Sequence, residues 1–186
     1  MIINNKGLII SLRKISKGKI CKIFYEKGII NGFIKTKSKD VLIDVGSFVN
    51  FSWYGNEDAL GIFVLSNSLN ILNLNNGNEM KKVIASALIE LFDLFFHENI
   101  QVSRDFFYLI NSFYKKLFST KVEDAMMNFC LIMKYFLEEV GYGLSLDRCK
   151  VSGMESNLVY LSPKSGCAIS ESIGKPYSNL MFDLPD

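Results

Sequence analysis

The spacing of apolar residues changes once along this chain, from a period of two to a period near 3.6. Residues 1–70 contain short runs in which apolar and polar side chains alternate, whereas residues 79–140 carry apolar side chains at helical spacing. An Asn-rich polar stretch at 70–78 separates these parts. The change of period predicts a two-part α+β protein, with one domain at 1–72 and a helical domain at 79–186.

Five short strands are expected in the first part, because each run is bounded by glycine or by polar turn residues. Their number and length favour a small closed or partly closed barrel. The OB-fold, a five-stranded barrel that binds nucleic acid, is the first candidate, and an SH3-like barrel is the alternative. The predicted strands are Gly7–Arg13, Lys19–Glu26, Gly28–Lys35, Phe48–Tyr54 and Ala59–Leu69, with a short apolar run at Val41–Asp44.

Alternation within the first two strands predicts which side chains share a face. In the first strand Leu8, Ile10 and Leu12 lie on one face, opposite Ile9. In the second strand Lys22 lies opposite the apolar set and is expected to point to solvent. That apolar set is Cys21, Ile23 and Tyr25.

Three amphipathic helices are predicted in the second part: Glu79–His97, Arg104–Phe118 and a third that runs to Val140. Ser103 is a candidate N-cap, and Thr120 with Glu123 fits a capping box. Gly141 follows the third helix, where a left-handed residue commonly ends it.

The segment after Gly141 is rich in glycine and turn residues and predicts a compact irregular segment. A small hairpin is expected within it, formed by Asn157–Leu161 and Cys167–Ile169. The tail, Gly174–Asp186, is expected to be loose at its end.

Charge is distributed unevenly between the start of the chain and the remainder. Residues 1–40 carry ten Lys or Arg and two acidic side chains, a net charge of +8. Residues 41–186 carry eleven Lys or Arg and seventeen acidic side chains, a net charge of −6. A basic segment on a mildly acidic protein indicates a polyanionic partner, although a solvated lysine-rich surface is the alternative.

Several motifs, in one order along the chain, resemble the bacterial RecO family of recombination mediators. Leu137-Glu-Glu-Val-Gly-Tyr142 resembles the end of the family's long helix, and Asp147-Arg-Cys149 its knuckle. Leu161-Ser-Pro163 with Gly166 resembles its hairpin. Three further segments resemble its first strand, its basic segment and a following strand: Gly7–Arg13, Gly32–Lys39 and Asp44–Trp53.

This resemblance implies an N-terminal OB-fold, a helical bundle and a small knuckle at 147–170. It also implies a role in DNA repair, DNA recombination and the response to DNA damage through the RecFOR pathway. The expected activities are binding of single- and double-stranded DNA, annealing of complementary strands and assistance in loading RecA. The expected partners are DNA, RecR and the C-terminal tail of single-strand-binding protein, in the bacterial cytoplasm near the nucleoid. The alternative is an OB-fold module that binds RNA or serves as a protein adaptor without annealing activity.

The knuckle departs from the family, in which many members carry a four-cysteine zinc site. The four ligand positions fall on Cys149, Ser152, Ser170 and Ile173, of which only Cys149 is a ligand type. No zinc or other cofactor is therefore expected, and packing of Leu158, Tyr160 and Val151 is expected to hold the knuckle. Family members usually continue beyond the position of Asp186, so part of the helical domain is expected to be missing.

The candidate DNA contacts are the cations of the basic segment and one aromatic residue. Alternate strand positions and polar loops are expected to present these side chains to solvent. Lysines that neutralise phosphates release the counterions condensed on the nucleic acid, and this release favours binding. Tyr54 is the aromatic residue most expected to be exposed, so that a base can stack on it. The predicted DNA-binding residues are Arg13, Lys14, Lys17, Lys19, Lys22, Lys35, Lys37, Lys39 and Tyr54.

A second surface on the helices is expected to receive an acidic, apolar peptide tail. A pocket between helices, flanked by lysine or arginine, would suit such a tail. The available cations are Lys81, Lys82, Arg104, Lys115, Lys116 and Lys121.

The chain carries no motif that supports an enzymatic function. His97 is the single histidine and suits the C-terminus of a helix, and no phosphate-binding glycine loop or nucleophile elbow is present. The adjacent carboxylates, such as Glu123 and Asp124, diverge by about 100° on a helix. The four dispersed cysteines are expected to be free thiols in a reducing compartment, and no secretory or membrane-spanning segment is expected.

Overall fold

The computed structural model describes residues 1–35, 43–56, 60–70, 72, 78–96 and 100–185. The chain forms two compact units, Met1–Ile132 and Met133–Asp186. The first unit contains five strands, two helices and the start of a third helix. The second contains the remainder of that helix and a small sheet. The predicted domains at 1–72 and 79–186 stay a prediction.

Five strands form a closed barrel in the first unit. They are β1 (Ile2–Ile15), β2 (Gly18–Tyr25), β3 (Gly28–Lys35), β4 (Ser47–Tyr54) and β5 (Gly61–Asn70). The strand order is β1-β2-β3-β5-β4, and β4 pairs back with β1. Neighbouring strands are antiparallel except β3 and β5, which pair in parallel at Gly32–Gly61 and Phe33–Ile62. The predicted OB-type barrel is confirmed.

The core of the barrel follows the predicted faces in β2 but not in β1. Cys21, Ile23 and Tyr25 all lie in the core, as alternation predicts. In β1, however, the pairing register shifts between Ile9 and Ser11. This bulge changes which face the following residues share, so Ile9 and Leu12 both pack on the core, and the prediction that they lie on opposite faces is wrong.

The outer face of β2 is covered by helices at one end. The ring of Phe24 points away from the barrel core and is fully buried. Its centroid lies 5.2 Å from that of Phe92 and 5.3 Å from that of Phe107. Such aromatic pairs contribute about 0.5–1.5 kcal/mol each beyond area burial, so this cluster fixes the helices against the barrel.

The helices of the first unit begin and end close to the predicted positions. They are α1 (Glu79–Phe95) and α2 (Arg104–Lys116), and α3 (Val122–Glu139) continues into the second unit. Ser103 caps α2 as predicted, because its side chain accepts a hydrogen bond from Phe106 N at 3.2 Å. The capping box at Thr120 does not form: α3 begins at Val122, and the Thr120 hydroxyl donates to Leu117 O instead.

The second unit contains the end of α3 and a three-stranded sheet. Gly141 ends α3 with φ +84°, and the amide of Tyr142 donates to Leu137 O at 2.7 Å, as predicted for a left-handed C-terminus. The predicted hairpin is present as β6 (Leu158–Ser162) and β7 (Cys167–Ser170).

The described part of the tail, up to Pro185, contains regular structure, which the expectation of a loose end did not foresee. It forms α4 (Glu171–Gly174), a 3-10 helix (Lys175–Leu180) and β8 (Phe182–Asp183). Strand β8 pairs with β6, and the amide of Leu184 donates to Val159 O at 2.8 Å. Backbone pairing with an edge strand, which residue type alone does not reveal, fixes this segment.

Candidate nucleic-acid interface

The cations of the first hairpin gather at one end of the barrel. The turn between β1 and β2 consists of Ser16 and Lys17, and the ladder places Lys14 directly opposite Lys19. The same ladder places Lys35 of β3 opposite Gly18. Like charges directly opposite each other repel and destabilise a sheet. A bound polyanion would reduce this repulsion between Lys14 and Lys19.

A row of outward-facing side chains leads around the barrel from this end. The pairing registers align Arg13, Ile20 and Phe33, and then Ile62 and Tyr54. These positions alternate with core residues in every strand, so the row lies on the outer face. In OB-folds the face of strands 2 and 3, with the loops after strands 1 and 4, binds oligonucleotides, and this row crosses that face.

Glycine at position 18 brings an aromatic ring onto the surface of β2. A Cβ atom at Gly18 would lie 2.6 Å from Cζ of Phe33 and 2.2 Å from Ile34 O. The Phe33 ring therefore lies over this glycine and is half-buried. A half-buried ring packed on the strand surface beside Lys35 is suited to stacking with a base.

The charges at this end of the barrel are not neutralised within the described residues. No carboxylate of the described chain forms an ion pair with Arg13, Lys14, Lys17, Lys19 or Lys35. The Lys19 ammonium donates a hydrogen bond to Ile43 O at 3.4 Å. Burial raises the pKa of the Cys21 thiol to about 12, although the charge of Lys19 lowers it. We refer to these five cations together with Phe33 and Tyr54 as the basic face; strand alternation places Lys14 and Lys19 on the side of the ladder opposite Arg13 and Phe33, so the group surrounds the end of the hairpin.

Lys22 does not belong to the basic face, and the expectation that it points to solvent is wrong. Its ammonium lies 2.5 Å from Oδ1 of Asp93 on α1, and only 20% of its side chain is exposed. The reason is that α1 packs over this part of β2. Lys37 and Lys39, also predicted as DNA contacts, lie outside the described residues.

Tyr54 is exposed, as the sequence predicted, and other aromatic residues of the barrel are buried. Tyr54 is 44% exposed, whereas Phe24, Tyr25 and Trp53 are buried. Ile20 and Ile62 were not among the predicted contacts. Only the strand register, which aligns residues distant in sequence, reveals that they lie in the same row.

The cations on the helices have different surroundings. Lys81 is only 5% exposed, and its ammonium donates to the carbonyl oxygens of Phe118 and Thr120, so its predicted availability to a partner is wrong. Lys82 pairs with Glu79 at 3.1 Å. Lys116 lines a cavity of about 170 Å³ together with Phe113 and Leu131.

No helix in the described part of the chain combines the length and apolarity that a membrane span requires.

Comparison with known proteins identifies the family. A family model described as "Recombination protein O C terminal" matches residues 81–186. The chain belongs to the RecO family. A "DNA repair protein RecO" from Orientia tsutsugamushi (strain Ikeda) is 31% identical over 192 residues, which cover 100% of this chain and 78% of that protein. A RecO from Rickettsia peacockii is 28% identical, with coverage of 100% and 78%. One from Bartonella henselae is 31% identical, with coverage of 85% and 60%. The predicted family is confirmed.

The RecO knuckle of this chain brings together three of the four positions expected for zinc ligands. Cys149 Sγ accepts hydrogen bonds from Ser152 N at 3.4 Å and from Ser170 Oγ at 3.5 Å. The two serine hydroxyl oxygens lie 3.4 Å apart. One thiol and two hydroxyls do not fit the four nitrogen or sulfur ligands of a structural zinc site.

Hydrogen bonds link Cys149 to Ser152 and Ser170 in the RecO knuckle. Burial raises the pKa of the Cys149 thiol, but the hydrogen bonds from Ser152 and Ser170 outweigh this effect, and the pKa falls to about 6. The expectation that Val151 packs inside the knuckle is wrong, because 67% of that residue is exposed. Tyr160 does pack there, since a Cβ atom at Gly174 would lie 2.3 Å from its ring.

Proposed function

We propose that this chain is a DNA repair and recombination mediator that binds single- and double-stranded DNA through the basic face. The observation that carries the proposal is the cross-strand pair of Lys14 and Lys19, with Lys35 beside them and no carboxylate partner in the described part of the chain. A barrel end that concentrates like charge is stabilised by a phosphate backbone, which supplies the missing countercharge. The names of the RecO relatives support the repair role.

The basic face favours binding with little sequence preference. Its cations contact phosphates, which are the same in every sequence, and such contacts serve single strands and duplexes alike. Phe33 and Tyr54 add stacking surfaces that any unpaired base can use. Weak sequence preference suits annealing, because an annealing protein must screen two strands from each other without reading either one.

The finer activities belong to the same proposal. We propose that the chain anneals complementary strands without ATP, assists RecA loading on strands coated by single-strand-binding protein, and works with RecR near the bacterial nucleoid. The cavity lined by Lys116, Phe113 and Leu131 supports docking of an acidic, apolar protein tail, since it combines one cation with apolar walls. The chain is proposed to act as a mediator without catalytic chemistry of its own.

Charge reversal on the basic face tests the proposal. The variant Lys14→Glu/Lys17→Glu/Lys35→Glu is expected to lose DNA binding in an anisotropy titration and strand annealing in an ATP-free assay. The matched control Lys134→Glu/Lys150→Glu/Lys164→Glu changes the net charge equally at three exposed lysines elsewhere. Equal binding by the two variants would refute the basic face as the DNA site. A wild-type protein that neither binds nor anneals DNA would refute the function and favour an adaptor role.

A further inference from the structure

A second feature of the first unit is a groove between the barrel and α2. Its volume is about 960 Å³, and it lies on the outer face of β1, β4 and β5. Asn50 and Ser52 of β4 lie on its floor, and Tyr108 and Lys115 of α2 lie on its wall. We refer to it as the β4–α2 groove.

Part of the floor of the groove is a regular array of polar side chains, next to the apolar Phe48 and Leu69. The register places Lys6, Asn50 and Ser66 side by side on three neighbouring strands, and Asn4 beside Ser52 in the next row. All five alternate with inward-facing residues and therefore point away from the barrel core. Within the described chain, the side chains of Asn4, Asn50, Ser52 and Ser66 form no hydrogen bond to another protein group.

The wall of the groove carries an exposed aromatic ring, that of Tyr108, which contacts a neighbouring ring. Tyr108 is 51% exposed, and its ring packs edge-on against that of Phe107, with 5.7 Å between the ring centroids. Tyr114 is turned away, because its hydroxyl donates to Ala85 O at 2.8 Å. Tyr108 is thus an exposed ring on this wall that can stack with a planar ligand.

We propose that the β4–α2 groove binds unpaired bases of a single DNA strand. Amide and hydroxyl side chains both donate and accept hydrogen bonds, as the edges of bases require. In a duplex these edges are already paired, so the groove would distinguish single strands from duplexes. This inference rests on the proposed DNA-binding function.

The charges around the groove suit a phosphate backbone. Among the described residues that line it are two lysines, Lys6 and Lys115, and one carboxylate, Glu26, which accepts a hydrogen bond from Asn5 Nδ2 at 3.0 Å and keeps its charge; cations still outnumber anions. An acidic, apolar peptide would also meet these lysines. The apolar side chains of such a peptide would leave the amide and hydroxyl groups of the floor without partners, whereas a base edge pairs with them and its ring also contacts the apolar lining at Phe48 and Leu69.

The groove is continuous with the basic face along β4. Tyr54, Ser52 and Asn50 are successive outward positions of this strand, and each step is about 6.6 Å. Tyr54 of the basic face therefore lies about 13 Å from Asn50 on the groove floor. A strand whose backbone rests on the basic face can reach the groove without leaving the barrel surface.

Two groove variants test the inference, measured by anisotropy with a single-stranded oligonucleotide and with its duplex. Tyr108→Ala removes the stacking surface, and Asn50→Leu removes the central amide. Each is expected to weaken single-strand binding about fivefold or more, in line with the loss of one stacked base, and to leave duplex binding within about twofold. Tyr142→Ala, at an exposed tyrosine of the second unit, is the matched control. Circular dichroism confirms that each variant folds.

The outcomes separate the groove from the proposed function. If charge reversal on the basic face abolishes binding while both groove variants bind single strands normally, the groove is not a base site and the function stands. An equal loss for single strands and duplexes also overturns the inference, because a paired base cannot enter the groove. As a second readout, the fluorescence of Tyr108→Trp should be quenched by an oligonucleotide. Quenching by an acidic, phenylalanine-containing peptide alone would assign the groove to a protein partner instead.

Discussion

The salt dependence of DNA binding is the sharpest quantitative test of the basic face. Five described cations gather there: Arg13, Lys14, Lys17, Lys19 and Lys35. If each neutralises one phosphate, the logarithm of the binding constant should fall with that of the salt concentration with a slope of about −3.5 on single strands. On duplex DNA the slope should be about −4.5, because duplex phosphates condense more counterions.

Neutralising three of these five cations should make the salt dependence of binding shallower, in proportion to the number of cations removed. Lys14→Gln/Lys17→Gln/Lys35→Gln leaves two cations and predicts a slope of about −1.4 on single strands. Between 50 and 200 mM salt, the wild-type affinity should fall roughly 100-fold and that of the variant only about sevenfold.

The assay is a series of anisotropy titrations with a labelled oligonucleotide at several potassium chloride concentrations. Lys134→Gln/Lys150→Gln/Lys164→Gln removes the same net charge from exposed sites of the second unit and should keep the wild-type slope. If the control shifts the slope as much as the test variant does, DNA responds to the net charge of the chain. A localised phosphate-binding face would then be refuted.

Three further predictions concern stability. Lys14→Glu creates an opposite-charge pair with Lys19 and should raise the free energy of unfolding by about 0.2–1 kcal/mol while it weakens DNA binding; a destabilised variant would contradict the cross-strand repulsion. Lys81→Met leaves two carbonyl groups without their donor and should cost about 1–3 kcal/mol in urea unfolding, whereas Lys82→Met at the surface should cost under about 1 kcal/mol. The Cys149 thiol has a pKa of about 6 in the folded protein, below its ordinary value. The free energy of unfolding of the wild type, relative to that of Cys149→Ser, should therefore rise between about pH 6 and pH 9, and this pH-dependent gain should be absent below pH 6. A difference between the two proteins that does not change with pH would refute the hydrogen-bonded thiolate.

Local patterns in the sequence predict most of the elements of this fold. Alternation places Cys21, Ile23 and Tyr25 on the face that forms the barrel core, and Ser103 and Gly141 mark helix ends because their local geometry satisfies free backbone groups. The bulge after Ile9 is different. It depends on how β1 pairs with β2, and a single inserted residue changes the face of every residue that follows it.

The charged residues of the candidate site show the same limit of sequence-based prediction. A count of lysines predicts that a basic surface exists, but it does not predict which lysines are free. Lys22 pairs with Asp93, 71 residues away, and Lys81 donates to Thr120, 39 residues away. Both partners lie in other elements, so no pattern local to either lysine could reveal the contact.

The helices therefore decide which part of the barrel surface remains for a ligand. On the outer face of β2, Phe24 is sealed beneath the aromatic cluster of α1 and α2, and Lys22 lies at the edge of this cover, bound to Asp93. The next outward positions, Ile20 and Gly18, lie beyond it and adjoin Phe33 and Lys35. The helical cover thus ends where the basic face begins. A basic segment spread along two whole strands is in this way reduced to cations at one end of the barrel, where the first hairpin turns.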